Sequence, residues 1–152
     1  MALRLSTGLR NKLLGSQGFK TIMQNGVIRV FPGVQPSSAD DAEGATQLLE
    51  ITVSSGAFTP GSATNGLNFA DPASGSCVKS SAEVWSGLAA STGTAGWFRF
   101  YANDRATGAD TANARFDGSV STSGAQLNMS STAITAGATT TIDSFIVTMP
   151  AS

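Results

Sequence analysis

Short runs of β-prone residues, separated by clusters of Gly, Ser, Asn, Asp and Pro, fill the sequence from residue 27 onward. Runs of this length bounded by turn-forming residues are typical of β-strands. The runs cover residues 27–31, 47–53, 66–69, 82–89, 96–102, 114–117, 119–122, 125–129 and 139–149. About eight or nine short strands, with a turn signal roughly every ten residues, predict an all-β fold, and the long polar loops favour a jelly-roll-like β-sandwich.

Two of these runs predict the clearest hairpin in the chain. Residues 82–89 and 96–102 flank a Ser-Thr-Gly-Thr turn, so we expect them to pair. Residues 114–122 are compatible either with one bulged strand or with a tight hairpin. In residues 139–149 the apolar positions shift from even to odd near Asp143, which predicts a β-bulge.

The first 25 residues differ from the rest of the chain in periodicity and in charge. Leucines at helical spacing predict a helix at 7–14, and a second short helix is expected at 17–24. Residues 1–39 contain five basic residues and no acidic one, a charge of +5, whereas the remainder carries −6. The five are Arg4, Arg10, Lys12, Lys20 and Arg29. We therefore divide the chain into a short, basic, helical N-terminal arm, residues 1–25, and a β-sandwich domain, residues 26–152.

The amino-acid composition excludes most enzyme classes. The chain has no His and one cysteine, Cys77, which removes His-activated nucleophiles, disulfides and thiolate zinc sites. Neither a phosphate-binding glycine motif nor a nucleophile-elbow motif occurs. Five spread basic residues are too few to predict a nucleic-acid site. We predict a non-enzymatic protein that holds no metal and no cofactor.

Acidic residues gather in two loop regions of the sequence. Asp40, Asp41 and Glu43 share one of them, and Asp104, Asp110 and Asp117 bracket the other. Neither group has the spacing of a calcium-binding EF-hand loop. We expect these carboxylates to be solvated, with a calcium site as the alternative.

The distribution of charge and apolar residues also bears on partners. No apolar run approaches the roughly 20 residues of a membrane span, and the N-terminus lacks the apolar core of a secretory signal. The expectation is a soluble protein made in the cytoplasm, without membrane association. Residues 51–70 and 118–142 contain no charged residue. Because edge strands are usually protected by charge, these spans predict edges that another chain covers.

The sequence Trp97-Phe98-Arg99-Phe100-Tyr101 places two kinds of side chain on opposite sides of one strand. Phe98 and Phe100 are predicted to face the core. Trp97, Arg99 and Tyr101, here called the Trp97 face, are expected to be half-exposed. The Trp97 face is compatible with ordinary sheet packing, with a protein interface, or with a platform for stacking sugar rings, since Trp, Tyr and Arg are enriched at binding hot spots.

Several phrases spread over most of the chain point to a known class of protein. The phrases are residues 26–31 with Gly33 and 35–40, residues 56–61, residues 93–99, and Asp117-Gly118 with residues 123–128. In these phrases the chain resembles small virion proteins encoded in the structural gene clusters of tailed phages. The resemblance implies a capsid cement or decoration protein, a β-sandwich that binds the outside of the shell at junctions between capsomers. It assigns no individual site residue.

The residues and the resemblance together predict a structural protein of a phage virion, made in the bacterial cytoplasm and located on the capsid surface. The expected partners are the major capsid protein and further copies of the chain, as a dimer or trimer. The expected contact residues are Arg4, Arg10, Lys12, Lys20, Trp97, Arg99 and Tyr101. Removal of residues 1–25 is expected to abolish capsid binding and to leave the sandwich folded. The alternatives are a tail, neck or baseplate component and a carbohydrate-binding adsorption module.

Overall fold

The computed structural model describes residues 3–151 and shows a predominantly β protein with two short helices. The helices are α1 (Thr7–Leu14) and α2 (Phe19–Met23). The strands are β1 (Arg4–Leu5), β2 (Val27–Pro32), β3 (Leu49–Val53), β4 (Ser76–Val78), β5 (Trp85–Leu88), β6 (Gly93–Tyr101), β7 (Arg115–Ser121), β8 (Leu127–Asn128), β9 (Ala133–Ile134), β10 (Thr139–Ile142) and β11 (Ile146–Thr148). The all-β class predicted from the short runs and their turn signals is confirmed.

Most strands belong to one large sheet, in the order β1-β7-β6-β2-β3-β5-β10. Neighbours along this path are antiparallel, whereas β8 joins β7 in parallel and β9 pairs with the start of β6. β4 and β11 form a separate antiparallel pair. Every residue from Trp97 to Tyr101 in β6 is buried. Both faces of the sheet are therefore covered at its centre.

One face of the large sheet packs against a cluster of aromatic rings. Phe100 of β6 stacks on Phe116 of β7 with ring centroids 5.2 Å apart. Phe145, which lies between β10 and β11, contacts these two rings at 6.3 and 6.4 Å, and Phe69 lies 5.4 Å from Phe100. Phe98 and Phe100 are fully buried, so the predicted core side of this strand is confirmed.

Both N-terminal helices are confirmed, and both pack into the core. The Ser6 hydroxyl caps α1 by accepting a hydrogen bond from the main-chain N–H of Leu9 at 3.1 Å. Leu9 and Met23 are completely buried, and Phe19 nearly so. The expectation that the body folds without residues 1–25 therefore needs correction, because their removal would expose this apolar surface to water.

The predicted hairpin of residues 82–89 and 96–102 is wrong. In the described sheet β5 lies between β3 and β10, and β2 and β3 separate it from β6. The chain bends at residues 90 and 91, whereas Gly93 and Thr94 of the expected turn are the first residues of β6. A turn signal does not specify which strands pair. β5 instead gains a neighbour on each side from segments that are distant in sequence.

The structure also decides the two remaining expectations about strands, those for residues 114–122 and 139–149. Residues 115–121 form the single strand β7, which decides between the alternatives left open for this segment. The run at 139–149 is broken at Asp143 and Ser144, with β10 in the large sheet and β11 in the small one. The shift from even to odd apolar positions therefore marks a change of sheet, not a bulge within one strand.

Candidate functional site

The Trp97 face is buried, so the expectation that it is half-exposed is wrong. Trp97, Arg99 and Tyr101 expose only 1%, 0% and 1% of their surface. The Trp97 ring stacks on Phe31 of β2 with centroids 4.4 Å apart. The loop between β2 and β3 bonds to Arg99 and Tyr101 of this face, and the loop between β6 and β7 bonds to the first loop and to Arg115. These two loops are here called the covering loops. These three side chains cannot present a binding surface while the loops are in place.

Arg99 is the centre of a cluster of buried or mostly buried polar side chains under the covering loops, here called the charge layer. Its members are Arg99, Arg115, Asp117, Tyr101 and Glu43. The Nε and Nη2 of Arg99 donate hydrogen bonds to the two carboxylate oxygens of Asp117 at 2.6 and 2.7 Å, and both side chains are fully buried. The two residues lie opposite each other on β6 and β7, so the sheet register brings them together. Nη1 donates to the main-chain oxygen of Asp41 at 2.9 Å and lies 3.4 Å from Glu43 Oε1. Arg99 therefore ties the sheet to the first covering loop.

Arg115 holds both covering loops through their main-chain oxygens. Its Nε donates to the oxygen of Ala39 at 2.6 Å and its Nη2 to that of Asp40 at 3.0 Å. Its Nη1 donates to the oxygen of Ala106, in the second loop, at 3.1 Å. Burial, followed by the charge of Arg99, lowers the pKa of Arg115 from its ordinary value. The guanidinium thus fastens two loops that are far apart in sequence.

Tyr101 and Glu43 form the second link between the sheet and the covering loops. The Tyr101 hydroxyl donates to Glu43 Oε1 at 2.6 Å, and the N–H of Gly108 donates to Glu43 Oε2 at 2.8 Å. Burial alone would raise the pKa of Glu43, but these two hydrogen bonds and the charge of Arg99 outweigh it and lower the pKa. Burial raises the pKa of Asp117, and its bonds to Arg99 offset this only in part. Burial, and then the bond to Glu43, raise the pKa of Tyr101.

The expectation that the loop carboxylates are solvated holds for the exposed Asp41 and Asp104 and is wrong for Asp117 and Glu43. Asp117 is fully buried, and the Glu43 side chain is mostly so. A signal for this arrangement is present in the sequence, because Arg115 and Asp117 occupy alternate positions of one strand and therefore share one face. What the sequence does not show is that Arg99 of the neighbouring strand faces the same side and that two loops cover it.

The charge layer holds the two covering loops in place. Each charged group is occupied by hydrogen bonds to other parts of the same chain. Among residues 3–151, no group of three or more His, Cys, Asp or Glu side chains is arranged to hold a metal ion. The charge layer therefore acts on the shape of the molecule, since it fixes both covering loops against the sheet.

The basic residues proposed as contacts lie on different parts of the molecule. The Lys12 Nζ is 3.6 Å from a carboxylate oxygen of Asp104, and the Lys20 Nζ is 2.5 Å from one of Asp71. The remaining two behave differently. Arg4 donates to the main-chain oxygen of Pro36, and the exposed Arg10 donates to the hydroxyl of Thr7 at 2.8 Å. Each of these four cations therefore has a partner within the chain.

Two strands late in the chain leave one edge unpaired within residues 3–151. β10 pairs only with β5, and β11 pairs only with β4. Neither strand contains a charged residue. Val78 of β4 and Ile146 of β11 lie directly opposite each other on the small sheet and expose 43% and 55% of their surface. These uncharged edges and the exposed aliphatic pair are the candidate interaction surface of the molecule. The uncharged span 118–142 predicts an edge at β10, whereas β11 lies outside that span.

The described residues define an all-β protein with a large antiparallel sheet, a buried charge layer under two loops and open strand edges. No protein-family model, no curated protein and no solved structure matches the chain. No helix within residues 3–151 has the length and apolar character needed to cross a membrane.

Proposed function

We propose that this chain is a capsid cement protein of a phage virion, a non-enzymatic protein that binds the outside of the shell at capsomer junctions and stabilises it. The proposal joins the sequence resemblance to one structural observation, the edges of β10 and β11, which are uncharged and have no partner strand among residues 3–151. Proteins usually block such edges because they pair readily with other chains. A molecule that keeps two of them uncharged is suited to bind a partner there.

The buried charge layer supports the same role by making the body rigid. Arg99 and Arg115 fasten the covering loops to the sheet at several points. A surface that is already ordered loses little conformational entropy when it binds, so a modest contact area suffices. Repetition of that contact over a symmetric shell then multiplies its effect.

The partner we propose is the major capsid protein, with the chain itself assembling as a dimer or trimer at symmetric positions of the shell. The contact surface differs from the one expected from sequence. Trp97, Arg99 and Tyr101 are buried, and Lys12 and Lys20 are paired with carboxylates of the same chain. The open edges and the exposed aliphatic pair take their place in the proposal.

Burial of the Trp97 face also bears on the alternatives. A carbohydrate-binding module needs aromatic rings that a sugar can reach, and the rings of Trp97 and Tyr101 are covered. A tail, neck or baseplate component would share the open edges. It differs from a cement protein in the number of copies per particle.

Heat challenge of purified particles with and without this chain tests the proposal. Particles that lack the chain should release their DNA at a lower temperature, and addition of the purified chain should restore the heat resistance. An equal amount of chain unfolded beforehand serves as the control and should restore nothing. Equal heat resistance of both kinds of particle would show that the chain does not cement the shell.

A further inference from the structure

The outer edge of β11 presents main-chain groups that have no partner among residues 3–151. Val147 pairs with β4, and the main chains of Phe145 and Met149 also form hydrogen bonds of 2.9 Å on the β4 side. Main-chain groups alternate between the two sides of a strand in an antiparallel ladder. The N–H and C=O groups of Ile146 and Thr148 therefore point away from β4.

A groove of about 290 Å³ runs along this edge, here called the β11 groove. One wall is formed by residues 144–148, and the other by Leu3 together with Ala125, Gln126 and Asn128. None of these residues carries a charge. The β11 groove therefore offers two N–H donors and two C=O acceptors in an uncharged setting.

We propose that an extended, uncharged segment of the shell protein adds to β11 as a further strand in the β11 groove. This inference rests on the proposed function and names the element of the chain that makes the contact. Strand addition supplies affinity through main-chain hydrogen bonds, here to Ile146 and Thr148, and specificity through alternate side chains. The uncharged walls select a segment without charged side chains, because a charge placed there would lose solvation without gaining an opposite charge.

The same walls argue against a second copy of this chain as the occupant. To pair through β11, two copies would have to bring their β11 edges together, although in each copy a wall of Leu3, Ala125, Gln126 and Asn128 flanks that edge. The open edge of β10 is flanked in the same way, by residues 130–135. Neither edge of a second copy is a bare strand, whereas a single extended segment has no such flanks.

Substitution at Thr148 separates main-chain pairing from side-chain contact. Thr148→Pro removes the N–H that faces the β11 groove, and proline is tolerated on the open side of an edge strand. Thr148→Val is the matched control, because it also loses the bond between the Thr148 and Ser76 hydroxyls but keeps the N–H. The probe is the shell purified from particles that lack this chain, with bound chain measured by sedimentation.

We expect Thr148→Val to bind these shells like the wild type and Thr148→Pro to lose at least tenfold in affinity. Amide hydrogen exchange on the wild-type chain gives an independent reading, with the amides of Ile146 and Thr148 protected only when the shell is bound. Wild-type affinity of Thr148→Pro, or unchanged exchange at both amides, would overturn the inference and leave the proposed function standing. Failure of the wild type to bind any shell would overturn both, and self-association lost in Thr148→Pro would identify a second copy as the occupant.

Discussion

At the residue scale, the decisive feature is a charge pair removed from water. Arg99 and Asp117 form two parallel hydrogen bonds, and neither side chain is exposed. A buried charge is tolerated only when it is paired with an opposite charge, because an unpaired buried charge costs several kcal/mol. The pair also fixes the first covering loop, because the same guanidinium donates a hydrogen bond to the main-chain oxygen of Asp41.

Asp117→Asn should destabilise the fold by about 3 kcal/mol, because it leaves the Arg99 guanidinium buried without its carboxylate. The matched control is Asp104→Asn, which removes a half-exposed carboxylate whose contact with Lys12 is 3.6 Å long and should change stability very little. Urea unfolding of the two variants measures both effects. Equal stability of the two would contradict the role assigned to the buried pair.

Glu43 should make the stability of the fold depend on pH. Its pKa is lowered in the folded state from an ordinary value of 4.5, so its contribution is present above that pH and is lost as the pH falls through the folded pKa. The Glu43→Gln variant keeps an acceptor for Tyr101 but cannot titrate. The pKa of Asp117 shifts in the opposite direction, and the charge of Glu43 contributes to that shift, so comparison of wild type with variant measures Glu43 together with its effect on Asp117.

The expected result is that wild type is more stable than Glu43→Gln near neutral pH and that the difference shrinks as the pH is lowered below about 4.5. Urea midpoints measured from neutral to acidic pH follow this difference. A gap that stays constant with pH would show that the charge of Glu43 does not contribute.

At the scale of elements, the N-terminal helices are part of the core. Helix α1 buries Leu9 completely, whereas Leu14 at its end exposes 86% of its surface. Gly8 lies so close to the second covering loop that an added Cβ would be 2.3 Å from the main-chain oxygen of Ala112. The helix is therefore fixed against the body on the side that Gly8 and Leu9 occupy.

Leu9→Ala should destabilise the protein by about 2 to 5 kcal/mol, because it removes buried methyl groups and leaves a cavity. Leu14→Ala is the matched control, with the same chemical change in the same helix at an exposed site, and should stay within about 0.5 kcal/mol of the wild type. Thermal and urea unfolding compare the two. If both variants unfold like the wild type, α1 is an independent arm after all.

How far the sequence predicts this fold depends on whether a feature is local. The helix at 7–14 and the core side of β6 follow from periodicity within one segment, and both are confirmed. The pairing of β5 is not local, because its partners β3 and β10 come from distant parts of the chain. The prediction that Trp97 is half-exposed is wrong for the same reason. Alternation shows which face of the strand a residue lies on, but not which other segments cover that face.

At the scale of the whole molecule, the structure combines a fixed interior with uncharged open edges. The charge layer and the aromatic cluster hold the two faces of the large sheet. β10 and β11 then present edges that natural proteins usually protect. A cement protein needs this combination, because it binds a lattice in many copies and stabilises the lattice only if its own body does not yield.

The number of copies per particle tests this account most directly. Quantitation of the chain against the major capsid protein in purified particles should give roughly one copy for every three shell subunits or more, as expected for a protein that occupies symmetric positions over the whole shell. A ratio of a few per cent, or about six to a few dozen copies, would instead match the closed cyclic symmetry of a tail, neck or baseplate part. That result, or absence of the chain from the particles, would contradict the cement function.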